Sequence, residues 1–215
     1  MIVIVCGMHR SGTSALAGLL HHNGIVMGEK EHFKPRPKKN QNAKGYYENY
    51  RFRILNDRIL ASCGYKVKSF SPDIPSVVTS PEFYHIAHTL LKEYAHKYSI
   101  WGWKDPRTCL TLDFWLNCIG NIGCKVLVIE RQCEAVVESL WKRRHRGDRE
   151  RFRDLVEVYQ RRLESTLYKY NVPSLHVSFD LLCEAPDMLA KELSEFLGHS
   201  ITDCSFIDAR LRHNR

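Results

Sequence analysis

The sequence predicts an α/β fold of three layers, α/β/α, with helices on both faces of a mostly parallel central sheet. Strand-like and helix-like segments alternate along the chain. The strand-like segments are continuous apolar runs, as in strands buried on both faces, and the first of them meets its helix at a glycine-bounded loop. The 215 residues suffice for a sizeable core and read as one domain over 1–215.

Each element has its own signal. Residues 2–6, Ile-Val-Ile-Val-Cys, form a buried strand ending at Gly7. Over 12–23, Ala15, Leu16, Leu19 and Leu20 make an apolar stripe that Asn23-Gly24 terminates, so a helix is expected there. Residues 28–45 carry five lysines and two prolines, and are expected to form a mobile loop on the substrate side. Helical spacing of Phe52, Leu55, Ile59 and Leu60 predicts a helix over 47–63. A second loop, 69–81, holds three prolines and four serines, and a helix follows over 82–97. Trp101-Gly102-Trp103-Lys104 reads as the end of a second strand, with Leu110–Cys118 as the next helix. Lys-Val-Leu-Val-Ile-Glu, 125–130, is the clearest strand and leads into a helix over 133–145. Phe152, Leu155, Val156, Tyr159 and Leu163 share one face of a long helix over 151–170. A strand over 174–179 and a helix over 185–197, stopped by Gly198, complete the pattern.

The net charge of +8 calls for an anionic partner, whether a nucleic acid, a small charged cofactor or an anionic substrate. No apolar run approaches the roughly 20 residues that cross a bilayer, and the apolar start is too short for a signal-peptide core. The chain is therefore expected to be cytoplasmic, with no membrane partner. Its eight cysteines show no C-x-x-C spacing and its eleven histidines no H-E-x-x-H, so reduced structural thiols and no metal site are expected.

The chemistry concentrates in three stretches. The first, Gly7-Met8-His9-Arg10-Ser11-Gly12-Thr13-Ser14, has the glycine spacing of a phosphate-binding P-loop and joins a buried strand to a helix. Backbone N–H groups of the loop and of the helix start converge on one place, where the helix dipole favours an anion. The Walker lysine is replaced by Thr13; Arg10 supplies the fixed charge, and Ser11, Thr13 and Ser14 add hydroxyls. The second stretch sets Arg131 at the carboxyl end of the strand 125–130 and Ser139 within the next helix. The third, Gly102-Trp103-Lys104-Asp105-Pro106-Arg107, gathers two cations and a carboxylate at a strand end. Ligands of open α/β sheets bind beyond the carboxyl ends of the strands, where all three stretches fall.

Arg10-Ser11-Gly12-Thr13-Ser14 resembles the phosphosulfate loop of sulfotransferases that use 3′-phosphoadenosine 5′-phosphosulfate (PAPS), in the His-Arg-Ser-Gly-Thr-Ser form of a bacterial and phage-type branch. The resemblance implies a P-loop-like nucleotide-binding topology, with His9, Arg10, Ser11, Gly12, Thr13 and Ser14 on the 5′-phosphosulfate. It also implies that Arg131 and Ser139 hold the 3′-phosphate, and that adenosine 3′,5′-bisphosphate is the product. Cys133 stands where the family usually has proline, and the family's C-terminal Arg-Lys-Gly-x-x-Gly loop is missing; a basic tail, 209–215, lies at that end instead. Over 177–198 the chain again resembles a strand and helix of the family's sheet.

Sulfuryl transfer is in-line and rests on positioning and electrostatics: grip the sulfate, neutralise the bridging oxygen, and take the acceptor's proton. Arg10 and Lys104 are the natural cations, the latter also by resemblance to the glycan-modifying branch. Glu48, at the start of a helix, is the candidate base, with His9, His32 and Asp105 as alternatives, and Arg107 is assigned to an anionic acceptor. The acceptor is expected to be a small molecule or glycan offering a hydroxyl or amine; nucleic acid is disfavoured, since no RRM, KH or OB signature occurs. The basic run from Lys142 to Arg153 reads as a solvated helix junction or an attractor for an acidic acceptor. Two rivals stand beside this reading. One is a P-loop kinase with Glu130 helping to hold Mg²⁺; the other is a non-catalytic nucleotide- or RNA-binding protein.

Overall fold

The computed structural model describes residues 1–33, 44–144 and 148–207, apart from the side chain of Arg144. A four-stranded, all-parallel sheet runs through it in the order β2-β1-β3-β4, formed by β1 (Ile2–Cys6), β2 (Trp101–Lys104), β3 (Cys124–Glu130) and β4 (Ser174–Ser178). Its helices are α1 (Thr13–His22), α2 (Tyr50–Ser62), α3 (Pro81–Lys97), α4 (Thr108–Ile119), α5 (Cys133–Arg144), α6 (Arg149–Tyr170), α7 (Phe179–Glu184) and α8 (Pro186–Leu197).

Side-chain alternation along the strands builds two cores. Ile2, Ile4, Val126 and Val128 face α2 through α6 and an aromatic cluster in which Phe52 stacks on Trp103 and Trp115 packs tilted against both. Val3, Val5, Leu127, Ile129 and Val177 face α1, α7 and α8. Three layers result, as the sequence predicts, and the continuous apolar runs are explained by burial on both faces.

The register sets the site. Val5 pairs with Lys104 on one side and Cys6 with Val128 on the other, so β1, β2 and β3 end side by side. From β1 the chain first adds β2 at one flank and then crosses to β3 at the other, which makes this end a topological switch point.

The structure differs from the sequence-based elements in two places. Phe179 does not extend the last strand but opens α7, because the Ser178 hydroxyl accepts from the Leu181 N–H at 3.3 Å and caps a new helix. The helix expected from residue 47 begins at Tyr50, after Asn49, whose Oδ1 accepts from the Arg51 N–H. Most of the expected loop 28–45, the centre of the basic run at 145–147 and the basic tail lie outside the described residues. Flanking arginines of that run are paired within the fold, Arg149 with Glu138 and Arg153 with Glu134. The loop 69–81 is irregular and follows a single 3₁₀ turn over Val67–Ser69. All eight cysteines are free thiols, and no helix among the described residues is long and apolar enough to cross a membrane.

Candidate active site

The loop between β1 and α1 is shaped by two glycines. Gly12 caps α1 with φ +99°, and a Cβ there would stand 2.1 Å from the Phe179 ring. Gly7 has φ +148°, and its Cβ would meet the Ile129 carbonyl oxygen at 2.7 Å. Both positions therefore exclude side chains on conformational and steric grounds. No side chain caps the start of α1, which leaves the positive end of the helix to the loop. The loop is braced from within and from outside. The Ser11 hydroxyl, buried, donates to the Met8 carbonyl at 2.7 Å, and the Gly7 N–H donates to Cys109 Sγ at 3.2 Å. Ser11 and Thr13 are both buried beneath the loop.

Arg10 adopts φ +74°, a left-handed conformation that costs a non-glycine residue about 1–2 kcal/mol. Its neighbours hold it there. Arg131 Nη1 donates to the Arg10 carbonyl at 3.2 Å, and Arg10 Nε donates to Ser139 Oγ at 2.8 Å. The two residues of the second stretch thus close on the first, across more than a hundred positions of sequence. The Arg131 guanidinium lies 4.7 Å over the Phe179 ring, so Phe179 packs on Gly12 and supports Arg131 at once. Among the described residues no carboxylate comes within ion-pair distance of Arg10 or Arg131. Burial lowers the pKa of the Arg10 guanidinium, and Arg143 and Arg131 lower it further. Burial also lowers that of Arg131, against the partial compensation of Asp180. Arg10 and Arg131 thus meet at the helix start with no ion-pair carboxylate among the described residues.

A second cluster sits at the end of β2. Lys104, 1% exposed, donates to Glu48 Oε1 and to Ser14 Oγ, both at 3.1 Å. The ammonium that a Walker loop carries at position 13 is here brought to the helix start from the neighbouring strand. Glu48 also faces Arg53 at 4.0 Å. Next to them Arg107 is clamped by Asp57 at 2.6 Å and Asp105 at 2.7 Å. Burial works against the charge of Arg107, but Asp105 and Asp57 outweigh it and hold the guanidinium pKa above its ordinary value. Asp105 is wholly buried and accepts further from the Arg107 N–H and from Asn56 Nδ2 at 2.8 Å. Asn56 is itself saturated, accepting from Thr111 and from Trp115 Nε1. These contacts give Asp105 a bracing function.

The His9 ring packs 5.8 Å from Phe70 and 6.0 Å from Tyr159. Nε2 is out of solvent and has no hydrogen-bond partner among the described residues. Burial, then Arg107 and Lys104, drive the His9 pKa well below its ordinary value, so the imidazole is neutral. His32 belongs to another network, 3.0 Å from Glu29 and within reach of the Tyr94 hydroxyl. Glu130 is turned toward His176, 2.8 Å away, and is half exposed.

Some parts of the site escaped sequence reasoning. Asn56 and Asp57 stand on a helix read only for its apolar face, although a polar Asn56 amid Phe52, Leu55 and Ile59 was a visible signal. Phe179 and Cys109 carry no motif signal, because their function comes from packing.

This geometry can be set beside known proteins. A sulfotransferase domain from the Synechococcus PCC 7002 olefin synthase superposes with a TM-score of 0.57 at 17% identity, covering 94% of this chain and 74% of that one. The fold is sulfotransferase-like. A sulfotransferase domain from the curacin biosynthetic pathway also gives 0.57, at 15% identity, covering 94% and 75%. Sulfotransferase STF9 from Mycobacterium avium gives 0.53 at 13% identity, covering 98% and 66%. No family model matches the chain, and no curated protein matches it. At these identities the likeness is one of fold.

Proposed function

We propose that the chain is a sulfotransferase that moves a sulfuryl group from PAPS to a hydroxyl or amine acceptor, and that it acts in the cytoplasm. The observation that carries this reading is the convergence of two guanidiniums at the uncapped start of α1: among the described residues neither has an ion-pair carboxylate, Arg131 donates to the Arg10 carbonyl, and Arg10 donates to Ser139. A ligand with two anionic ends suits this cluster better than one with a single phosphate chain. The steric cradle at Gly7 and Gly12 fits the close approach of such a group to backbone.

In this mechanism His9 to Ser14 grip the phosphosulfate end, and Arg131 and Ser139 the 3′-phosphate; bound PAPS supplies the sulfuryl group. Arg10 spans the two grips, since its Nε is already on Ser139. Lys104 neutralises charge that develops on the bridging oxygen, from its place beside Ser14. Glu48 takes the acceptor's proton, with its carboxylate oriented by the Lys104 contact. Arg107 orders this wall, and it meets an anionic acceptor only by sharing its two carboxylate partners.

Titration of the purified protein with adenosine 3′,5′-bisphosphate and, separately, with ATP–Mg²⁺ tests the reading. Bisphosphate binding that Arg131→Ala weakens is expected. Tight ATP–Mg²⁺ binding with no bisphosphate response would establish the kinase reading instead. A screen of acceptors with labelled PAPS then identifies the acceptor.

A further inference from the structure

Glu130, Glu164 and His176 meet at the outer edge of the sheet. They come from the last residue of β3, from α6 and from β4, and one ligand atom from each lies within 4.8 Å of the others. Their backbones are fixed by regular structure. His176 is registered with Val128, so Glu130, two residues on, projects from the same face, the face that α6 covers with Val156 and Leu163. Glu130 and Glu164 also line the recess reached by Gly7, Ser11 and Arg131.

One imidazole ring lies between the two carboxylates. His176 Nδ1 lies 2.8 Å from Glu130 and Nε2 3.9 Å from Glu164. Among the described residues neither glutamate has a Lys or Arg partner, although the chain carries a net charge of +8. All three side chains are about half exposed, open to a hydrated ion.

We infer that Glu130, Glu164 and His176 form a binding site for a divalent transition-metal cation of the zinc class. The nitrogen and carboxylate donors suit that class, and donors about 2.0–2.2 Å from a tetrahedral ion stand roughly 3.4 Å apart, a modest side-chain adjustment from the present spacing. Solvent water completes the coordination. The sequence expectation of no metal site rested on short spacings, and this site is assembled from three separate elements.

Calorimetric titration of the chelator-treated, reduced protein with Zn²⁺ tests the inference, with Co²⁺ absorption as a second readout. One cation per chain is expected, with affinity lowered at least roughly tenfold by His176→Ala and reduced by Glu164→Gln and Glu130→Gln. The Co²⁺ spectrum should show nitrogen and oxygen ligation. Equal Zn²⁺ affinity in the native chain and His176→Ala would overturn the site, and so would a Co²⁺–thiolate charge-transfer band in place of the nitrogen–oxygen spectrum. The metal-free thermal transition of His176→Ala, compared with that of the native chain, shows whether the exposed substitution has disturbed the fold. The nucleotide reading is tested separately, since Arg131→Ala should weaken bisphosphate and leave Zn²⁺ binding intact.

Discussion

The two charge clusters at the carboxyl end of the sheet are built on opposite principles. At the end of β2 the cations are matched by acids: Lys104 by Glu48, and Arg107 by Asp57 and Asp105. At the β1–α1 loop the partners of Arg10 and Arg131 among the described residues are a hydroxyl, a carbonyl and an aromatic ring. A matched buried cluster fixes geometry, because removing any member strands a charge. An unmatched one leaves its charge to a ligand. Adjacent strands of one sheet thus end in one group of cations with fixed counter-charges and one without them among the described residues.

Breaking the matched cluster should have the largest effect. Arg107→Ala leaves Asp105 buried with its guanidinium removed, and about 3–5 kcal/mol of stability should be lost, read as the midpoint of denaturant unfolding. If unfolding is unchanged, Arg107 does not brace the wall. Lys104→Ala is expected to lower kcat about 10²–10³-fold on an acceptor found by the screen, with bisphosphate affinity little altered. Full turnover would remove Lys104 from the chemistry. In the unmatched cluster the loss should appear in binding instead. Arg131→Ala should weaken adenosine 3′,5′-bisphosphate about 10–100-fold, with an unfolding midpoint close to that of the native chain. Ser139→Ala removes one hydrogen bond to Arg10 and should cost about tenfold in the same titration.

The smallest expected effect concerns pH. The folded-state pKa of His9 is depressed by burial and by Arg107 and Lys104, and burial lowers that of His21 as well. Between those depressed values and the ordinary value near 6.5 the unfolded chain binds more protons than the folded one. Stability should therefore rise with pH up to about 6.5 and fall as the solution is acidified below it. His9→Asn should flatten that slope, measured as thermal midpoint against pH.

Regions of the chain differ in how far their sequence could be read. The β1–α1 loop was legible because glycine spacing, an adjacent apolar strand and a following helix are local features. Arg131 and Ser139 were legible only beside that loop and through a resemblance. Of the partners of Arg107, Asp57 was not legible, since it lies fifty positions away and reaches Arg107 only after α2 packs on the sheet. α7 was missed because one capping hydroxyl, Ser178, outweighed a β-like apolar run.

By itself the sequence determined the alternation of elements, the parallel character of the strands and the glycine-bounded turn of the first loop. All three follow from periodicity, burial on both faces and backbone freedom within a few residues. Only the tertiary structure decided which cations are neutralised and which remain open. Arg10, Lys104, Arg107 and Arg131 look alike as letters. The registry of β1 with β2 and β3 sets them side by side, and the packing around the end of β2 gives Lys104 and Arg107 ion-pair carboxylates that, among the described residues, Arg10 and Arg131 do not have. Coulomb interactions depend on distance in space, and that is fixed only when the sheet and its helices have closed.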